Sequence, residues 1–278
     1  MDLVRDMLAA LLALAAAILL ALWAPAVWLQ DTVVDRDGFL EVARPLGTDQ
    51  GFQDAVATTA VDQLFEQVDL PRFVADRVRP VVDDQVHALA RTPAFDEIWA
   101  ATAEDLHATL LDPDGGTVTA DLNPYVDQLM GQVEDRIGFS VPIPHTDLLR
   151  LDVATIAPSP WPERARMLAD ASGWIGWAGI GSGLASIAVA ARRGAMLFGL
   201  GLLLALGGGA LLLAAHGAWD LAPGGIVGAR VIDELLSAFE EHFRADMRVP
   251  GFALVGAGAA SMVIALLALA LRPRGRAA

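Results

Sequence analysis

The chain has 278 residues, 55% of them hydrophobic, with 34 Asp and Glu against 19 Lys and Arg, a formal net charge of −15. A mean hydropathy of +0.47 is too high for a chain soluble throughout, so the apolar excess belongs in membrane spans. The acidity argues against nucleic acid and against an anionic lipid surface as the main partner, and the absence of cysteine excludes disulfides, thiolate metal sites and cysteine nucleophiles.

The first element is the run Met7–Gln30, which lacks Asp, Glu, Lys, Arg and His; Ala171–Ala191, Gly194–Ala215 and Gly251–Leu271 share that property. Each holds 21 to 24 residues, and about 20 suffice to cross the hydrocarbon layer with every backbone hydrogen bond closed inside a helix. The reading is four transmembrane helices. Ala24-Pro25-Ala26 leaves open a cleaved signal peptide for the first, although the preceding net charge of −1 is wrong for that role.

Residues 31–170 form an acidic domain with one core's worth of chain. Phe52, Val56, Ala60, Leu64 and Val68 recur every fourth residue after the caps Thr48 and Asp49, which predicts a helix over 49–68. Phe73, Val74, Val78, Val81, Val82, Val86 and Leu89 continue a helical stripe after Pro71, with Pro80 a kink. Thr92-Pro93 starts a third helix, which carries Phe95, Ile98, Trp99, Leu106 and Leu110 and is stopped by Asp112-Pro113-Asp114-Gly115-Gly116. Alternation then predicts strands over 117–122 and 149–156, flanking a helix that Asn123-Pro124 caps and that runs to Ile137. In the second outer loop, residues 216–250, the stretch 226–247 reads as an amphipathic helix with Val231, Leu235, Phe239, His242 and Phe243 on its apolar face; docking on the acidic domain suits its acidic opposite face.

The fold class expected is therefore mainly α: four transmembrane helices and a large, mostly helical extracytoplasmic domain carrying a small two-stranded β element. The first span covers 1–30, the second and third 171–215, and the fourth with its tail 251–278. Arg192 and Arg193 between the second and third spans, and Arg272, Arg274 and Arg276 after the fourth, place those flanks and both termini in the cytoplasm. Six of the seven tryptophans, Trp23, Trp28, Trp161, Trp174, Trp177 and Trp219, then fall near the outer span ends, where an amphipathic indole prefers the interface. Residues 31–170 carry −16 and residues 216–250 carry −3, so the acid faces outward.

Residues 39–46, Phe-Leu-Glu-Val-Ala-Arg-Pro-Leu, and 52–57, Phe-Gln-Asp-Ala-Val-Ala, resemble the "YVxTVAPLAxxPxVQDAVA" opening of a large family of uncharacterised actinobacterial integral membrane proteins. Val118–Gly138 and the basic turn Arg192-Arg193 are similar to later parts of the same pattern. Phe39 stands where that family commonly has Tyr, and Thr48-Asp49-Gln50 replaces an acidic-Pro segment. The resemblance implies a four-span protein with an extracytoplasmic helical domain and an actinobacterial source, which the use of Arg for every basic residue suits. It implies no mechanism.

No catalytic, cofactor-binding or metal-ligating residue is assigned. The five histidines form no H-x-x-x-H or HExxH pair; His87 and His107 with nearby acids are the one conceivable metal pairing. Acidic doublets such as Asp83-Asp84 and Asp96-Glu97 point about 100° apart on a helix and read as solvated faces. Residues 112–116 invite a calcium reading but lack the full ligand pattern, so a helix-stopping turn is the default. Gly179-Ile180-Gly181-Ser182-Gly183 has no preceding strand and is no dinucleotide loop. Instead Gly176, Gly179, Gly183, Ser186 and Ala190 step by three or four and make a small-residue stripe for close helix approach. Gly207-Gly208-Gly209 and Gly256, Ala259 and Ala260 offer further facing surfaces.

The spans hold no ionisable group of the kind proton- or ion-coupled transporters use, and few hydroxyls. The leading expectation is a non-enzymatic plasma-membrane protein whose acidic domain binds another envelope component, as scaffold or accessory subunit. Its partners would be the bilayer and an envelope protein, or a second copy through the spans. A subunit of a transport or channel assembly is the alternative, and an envelope enzyme using outer carboxylates the third.

Overall fold

The computed structural model describes residues 2–67, 72–121, 150–217, 226–228 and 230–271. The chain is mainly helical. In order, the helices are α1 (Asp2–Trp28), α2 (Arg36–Ala43), α3 (Gln50–Gln67), α4 (Arg72–Ala90), α5 (Pro93–Leu110), α6 (Trp161–Val189), α7 (Arg193–Gly217) and α8 (Arg230–Ala270). The strands are β1 (Gly116–Asp121), β2 (Arg150–Ile156) and β3 (Ile226–Gly228). A π-helical turn, Leu29–Val34, follows α1, and a 3₁₀ turn, Arg44–Thr48, follows α2. Two compact units result, one of Met1–Asp31, Ala165–Ala222 and Glu240–Ala278, the other of Thr32–Arg164 and Pro223–Phe239.

The first unit holds the apolar helices. Among the described residues, Leu3–Val34, Arg193–His216 and Val231–Ala270 are long and apolar enough to cross a membrane, which suits a membrane protein. These are three spans where the sequence reading expects four. The second uncharged run lies in α6, where five glycines, three serines and two tryptophans between 171 and 189 dilute its apolar content. Large apolar side chains stand open on these helices, Leu213 at 76% and Phe252 at 66% exposure among them, an arrangement costly in water and natural in lipid. The amphipathic helix expected over 226–247 begins only at Arg230, because Ile226–Gly228 is drawn into a strand, and from there it and the span expected over 251–271 are one helix, α8, which runs through Pro250. One proline removes a single i→i−4 bond, and nothing else between Met247 and Gly251 stops a helix.

In the second unit, α2 and α3 start on side-chain caps. Asp35 accepts from the amides of Asp37 and Gly38, both at 3.0 Å, to start α2, and Asp49 accepts from the Phe52 amide at 2.9 Å to start α3. Helices α3 and α4 run antiparallel, tied at opposite ends by Asp62 with Arg79 and Asp54 with Arg91. Burial along α4 begins only at Gln85, and Phe73, expected on its apolar stripe, is 76% exposed. The core joins Phe39, Phe52, Val61, Trp99, Val118 and Val231, all nearly inaccessible. Trp99 lies against Phe52 with ring centroids 4.4 Å apart, and its Nε1 donates to the Ala43 carbonyl at 2.7 Å. The first turns of α8 dock here, with Val231, Leu235 and Phe239 buried and Phe239 5.0 Å from Phe39.

Antiparallel β1 and β2 pair from Gly116 with Ile156 to Asp121 with Arg150. The two-stranded element is present, and β3 adds a short third strand on the other edge of β2. The turn into β1 needs Gly115, whose φ is +66° and where a Cβ would stand 2.2 Å from the Ile156 carbonyl oxygen. The β1–β2 register skips Val153, and beside it the Gln63 carboxamide donates to the Asp152 carbonyl at 2.8 Å and accepts its amide at 3.1 Å. Gln63→Leu is expected to cost about 1–2 kcal/mol by breaking both bonds, read as a lower urea midpoint of the intact chain; an unchanged midpoint would show water replacing the amide without loss. The helix expected over 123–137 and Trp219 lie outside the described residues.

Candidate functional site

The small-residue stripe faces α1. A Cβ at Gly176 would stand 2.8 Å from the Trp23 ring, and one at Gly179 2.8 Å from Leu20; Gly183 meets the Ala16 Cβ at 3.6 Å. Ser186 is fully buried and donates to the Gly183 carbonyl at 2.7 Å, and Ala190 is buried. The seam is longer than the five positions read from sequence, since Ala165, Ala169 and Ser172 continue it on the buried face of α6 in the same alternation of four and three. Opposite, Ala16 is buried on α1, and with Ala13 it also packs in a cluster with Leu200 and Leu204 of α7. Two helices with small residues at this spacing bring their backbones close, which strengthens dispersion contact where no hydrophobic drive separates helix from lipid.

A second seam joins α7 to α8. A Cβ at Gly258 would stand 2.4 Å from the Gly201 carbonyl oxygen, and one at Gly208 2.7 Å from the Gly251 carbonyl oxygen. Gly201 pairs with Gly258 and Gly208 with Gly251, so the helices cross antiparallel with backbones in contact seven residues apart on each. The sequence reading missed this pairing, whose signal is the shared seven-residue glycine interval. Of the surfaces it did name, Gly208 takes part and a Cβ added at Gly207 would stand 3.5 Å from the Ala21 Cβ on α1, whereas one added at Gly209 or Gly256 would meet nothing within 4 Å. Gly256 therefore faces no other helix of its chain among the described residues, because Gly251 and Gly258 set the inward side of α8.

Arg192 and Arg193 sit exposed at the turn between α6 and α7. The start of α1 holds that turn: Arg5 Nε donates to the Val189 carbonyl at 3.2 Å and the Asp6 carboxylate accepts from the Ala191 amide at 2.9 Å. Arg272, Arg274 and Arg276 lie outside the described residues. Trp23, Trp174 and Trp177 are 44%, 59% and 76% exposed as residues.

In the second unit, no described Asp or Glu is buried. Glu104 on α5 accepts from Arg36 at 2.6 Å and from Arg44 at 3.1 Å. The hydrogen bond from Arg36 holds the Glu104 carboxyl below the usual carboxylate range against its partial desolvation, with the Arg36 charge and Arg44 adding to the effect. A lowered carboxyl contributes stability present above its ordinary pKa and lost as pH falls through the lowered one. Acid titration should therefore narrow the difference in thermal midpoint between the parent chain and Glu104→Gln. The effect should be small and fade with salt, because these side chains are 41–53% exposed. A difference that persists at acid pH would contradict the ion-pair origin.

Among the described residues, no three His, Asp or Glu side chains gather at one point. His107 is buried, its Nε2 3.1 Å from the Val33 carbonyl, and His87 Nδ1 lies 2.9 Å from the Asp83 carbonyl, so each ring is engaged by backbone. The Asp112 carboxylate accepts the Asp114 amide at 2.9 Å and so is committed to its own turn. A cavity of about 40 Å³ lies between α3, α4, α5 and the sheet, walled by Val56, Ala57, Ala60, Leu89, Phe95 and Ala120 among others. Its Thr102 hydroxyl is taken by the Ile98 carbonyl at 2.8 Å, and the space is far below the several hundred cubic ångströms, roughly 300 or more, of a ligand pocket. It is a void left where alanines line the walls.

No family model, curated protein or solved structure matches this chain.

Proposed function

We propose that the chain is a non-enzymatic, four-span plasma-membrane protein with both termini cytoplasmic, presenting its acidic helical unit outside to bind another envelope component. The observation that carries this reading is the segregation of the chain into a unit of long apolar helices and a separate unit whose acids lie at its surface. The fourth span would be α6: its uncharged run is long enough, and three of its five glycines, Gly176, Gly179 and Gly183, are spent on contact with α1. The exposed arginines at the α6–α7 turn and the exposed indoles of Trp174 and Trp177 support the orientation. Kinship with the actinobacterial family belongs to the same proposal. It rests on Phe39, Leu40, Ala43, Phe52 and Gln53, which are buried positions of the second unit and speak for shared architecture.

The transport reading is second, because the Gly179 stripe that would recruit pore-lining partners is occupied by α1. The chain has no cysteine, so single introduced thiols report topology cleanly. Asp114→Cys should react with an impermeant maleimide on intact cells and Arg192→Cys only after permeabilisation; the reverse pattern would falsify the orientation. A photocrosslinker at exposed positions of the acidic unit should then capture a discrete envelope component. Robust ion or solute flux by the purified protein in liposomes would instead favour transport.

A further inference from the structure

We propose that the α6–α7 turn, with the first turns of α1, binds the phosphate headgroup of an anionic phospholipid. The proposal rests on the membrane reading above and goes beyond it by assigning a lipid site to residues so far used only for orientation. The bonds from Arg5 to the Val189 carbonyl and from the Ala191 amide to Asp6 bring three guanidinium-bearing residues, Arg5, Arg192 and Arg193, to one end of the first unit. Arg192 and Arg193 are exposed, and neither side chain has a hydrogen bond or ion pair among the described residues. Arg5 spends its Nε on a carbonyl, which leaves its terminal nitrogens open to a ligand. Among the described residues the acid hydrogen-bonded to the turn is Asp6, whose carboxylate accepts from the Ala191 amide.

Charge complementarity selects an anion, since unpaired guanidinium groups match phosphate oxygens in geometry as well as sign. The surrounding surface selects a lipid over a free phosphate. Leu3, Val4 and Met7, beside Arg5 on α1, are 75%, 70% and 61% exposed, so the cationic patch adjoins an apolar one, the complement of a headgroup with acyl chains. The acidity of the whole chain makes an anionic surface a poor general partner, and this turn is a local exception to it.

The test uses the full chain extracted from vesicles of equal parts phosphatidylglycerol and phosphatidylcholine, with retained lipid counted by native mass spectrometry. The intact protein should retain phosphatidylglycerol in preference, and Arg192→Gln and Arg193→Gln should each lower that preference roughly fivefold, with less effect at high salt. Neither substitution removes a side-chain hydrogen bond or ion pair among the described residues, and the preference of the unsubstituted chain is itself a test. Equal retention of the two lipids, or a preference that survives both substitutions, overturns the site. Displacement of phosphatidylglycerol by inorganic phosphate at comparable concentration overturns the lipid as its occupant. Release of the protein from vesicles by alkaline carbonate would overturn the membrane reading itself, a result distinct from integration without lipid preference.

Discussion

Gly258→Val should force α7 and α8 apart and cost more than about 3 kcal/mol, the upper end for overpacking, because the added carbons meet backbone and not a movable side chain. The Cβ alone would stand 2.4 Å from the Gly201 carbonyl oxygen and 2.7 Å from the Ala205 amide nitrogen, and neither can swing away without moving a helix. At Gly256, two residues earlier on the same helix, an added Cβ meets nothing within 4 Å, so Gly256→Val should stay within about 0.5 kcal/mol of the parent. Thermal unfolding of the full chain in detergent reads both. Equal midpoints for the two variants would mean that the glycine pairs do not hold these helices together.

The largest effect in the acidic unit should come from Trp99→Ala, at about 3–5 kcal/mol. Trp99 is 3% exposed, packs on Phe52, closes over Gly47 and donates to the Ala43 carbonyl. Its removal leaves a large cavity and strips a buried carbonyl of its partner at the junction of α2 and the 3₁₀ turn. Trp99→Phe separates the two losses: most of the ring volume stays, and the remaining cost of about 1–3 kcal/mol belongs to the orphaned Ala43 carbonyl. Urea unfolding followed by near-ultraviolet circular dichroism gives the ranking, and a phenylalanine variant as unstable as the alanine one would assign the stability to the hydrogen bond.

These two sites also show how unevenly the chain reveals itself. Helix α3 begins, and α5 begins and ends, where the cap, Pro93 and the 112–116 turn say they should, since these signals are local: the side chain that stops or starts a helix sits within four residues of the backbone group it satisfies. Both strand segments are legible from alternation for the same reason. The bulge at Val153 and the carboxamide bridge from Gln63 are not, because the two partners are 89 residues apart. The stripe on α6 could be read because three-and-four spacing is a property of one helix, but α1 as its occupant could not. The length of α8 escaped because Pro250 lies between a charged amphipathic segment and an uncharged one, and composition changes there while the backbone does not.

By itself the sequence located the long apolar helices: three of its four uncharged runs, Met7–Gln30, Gly194–Ala215 and Gly251–Leu271, map onto the helices long and apolar enough to cross a membrane. It determined helix as the dominant element and which face of α5 is apolar, whereas on α3 only Phe52 of the expected stripe is fully buried and Ala55, Ala57 and Val61 join it. Only the tertiary structure decided the pairings, namely α1 against the small-residue face of α6, Gly201 and Gly208 against Gly258 and Gly251, and the start of α8 in the core beside Phe39. Burial and periodicity are sums over one segment, whereas a close contact depends on the shapes of two surfaces that the chain brings together only on folding.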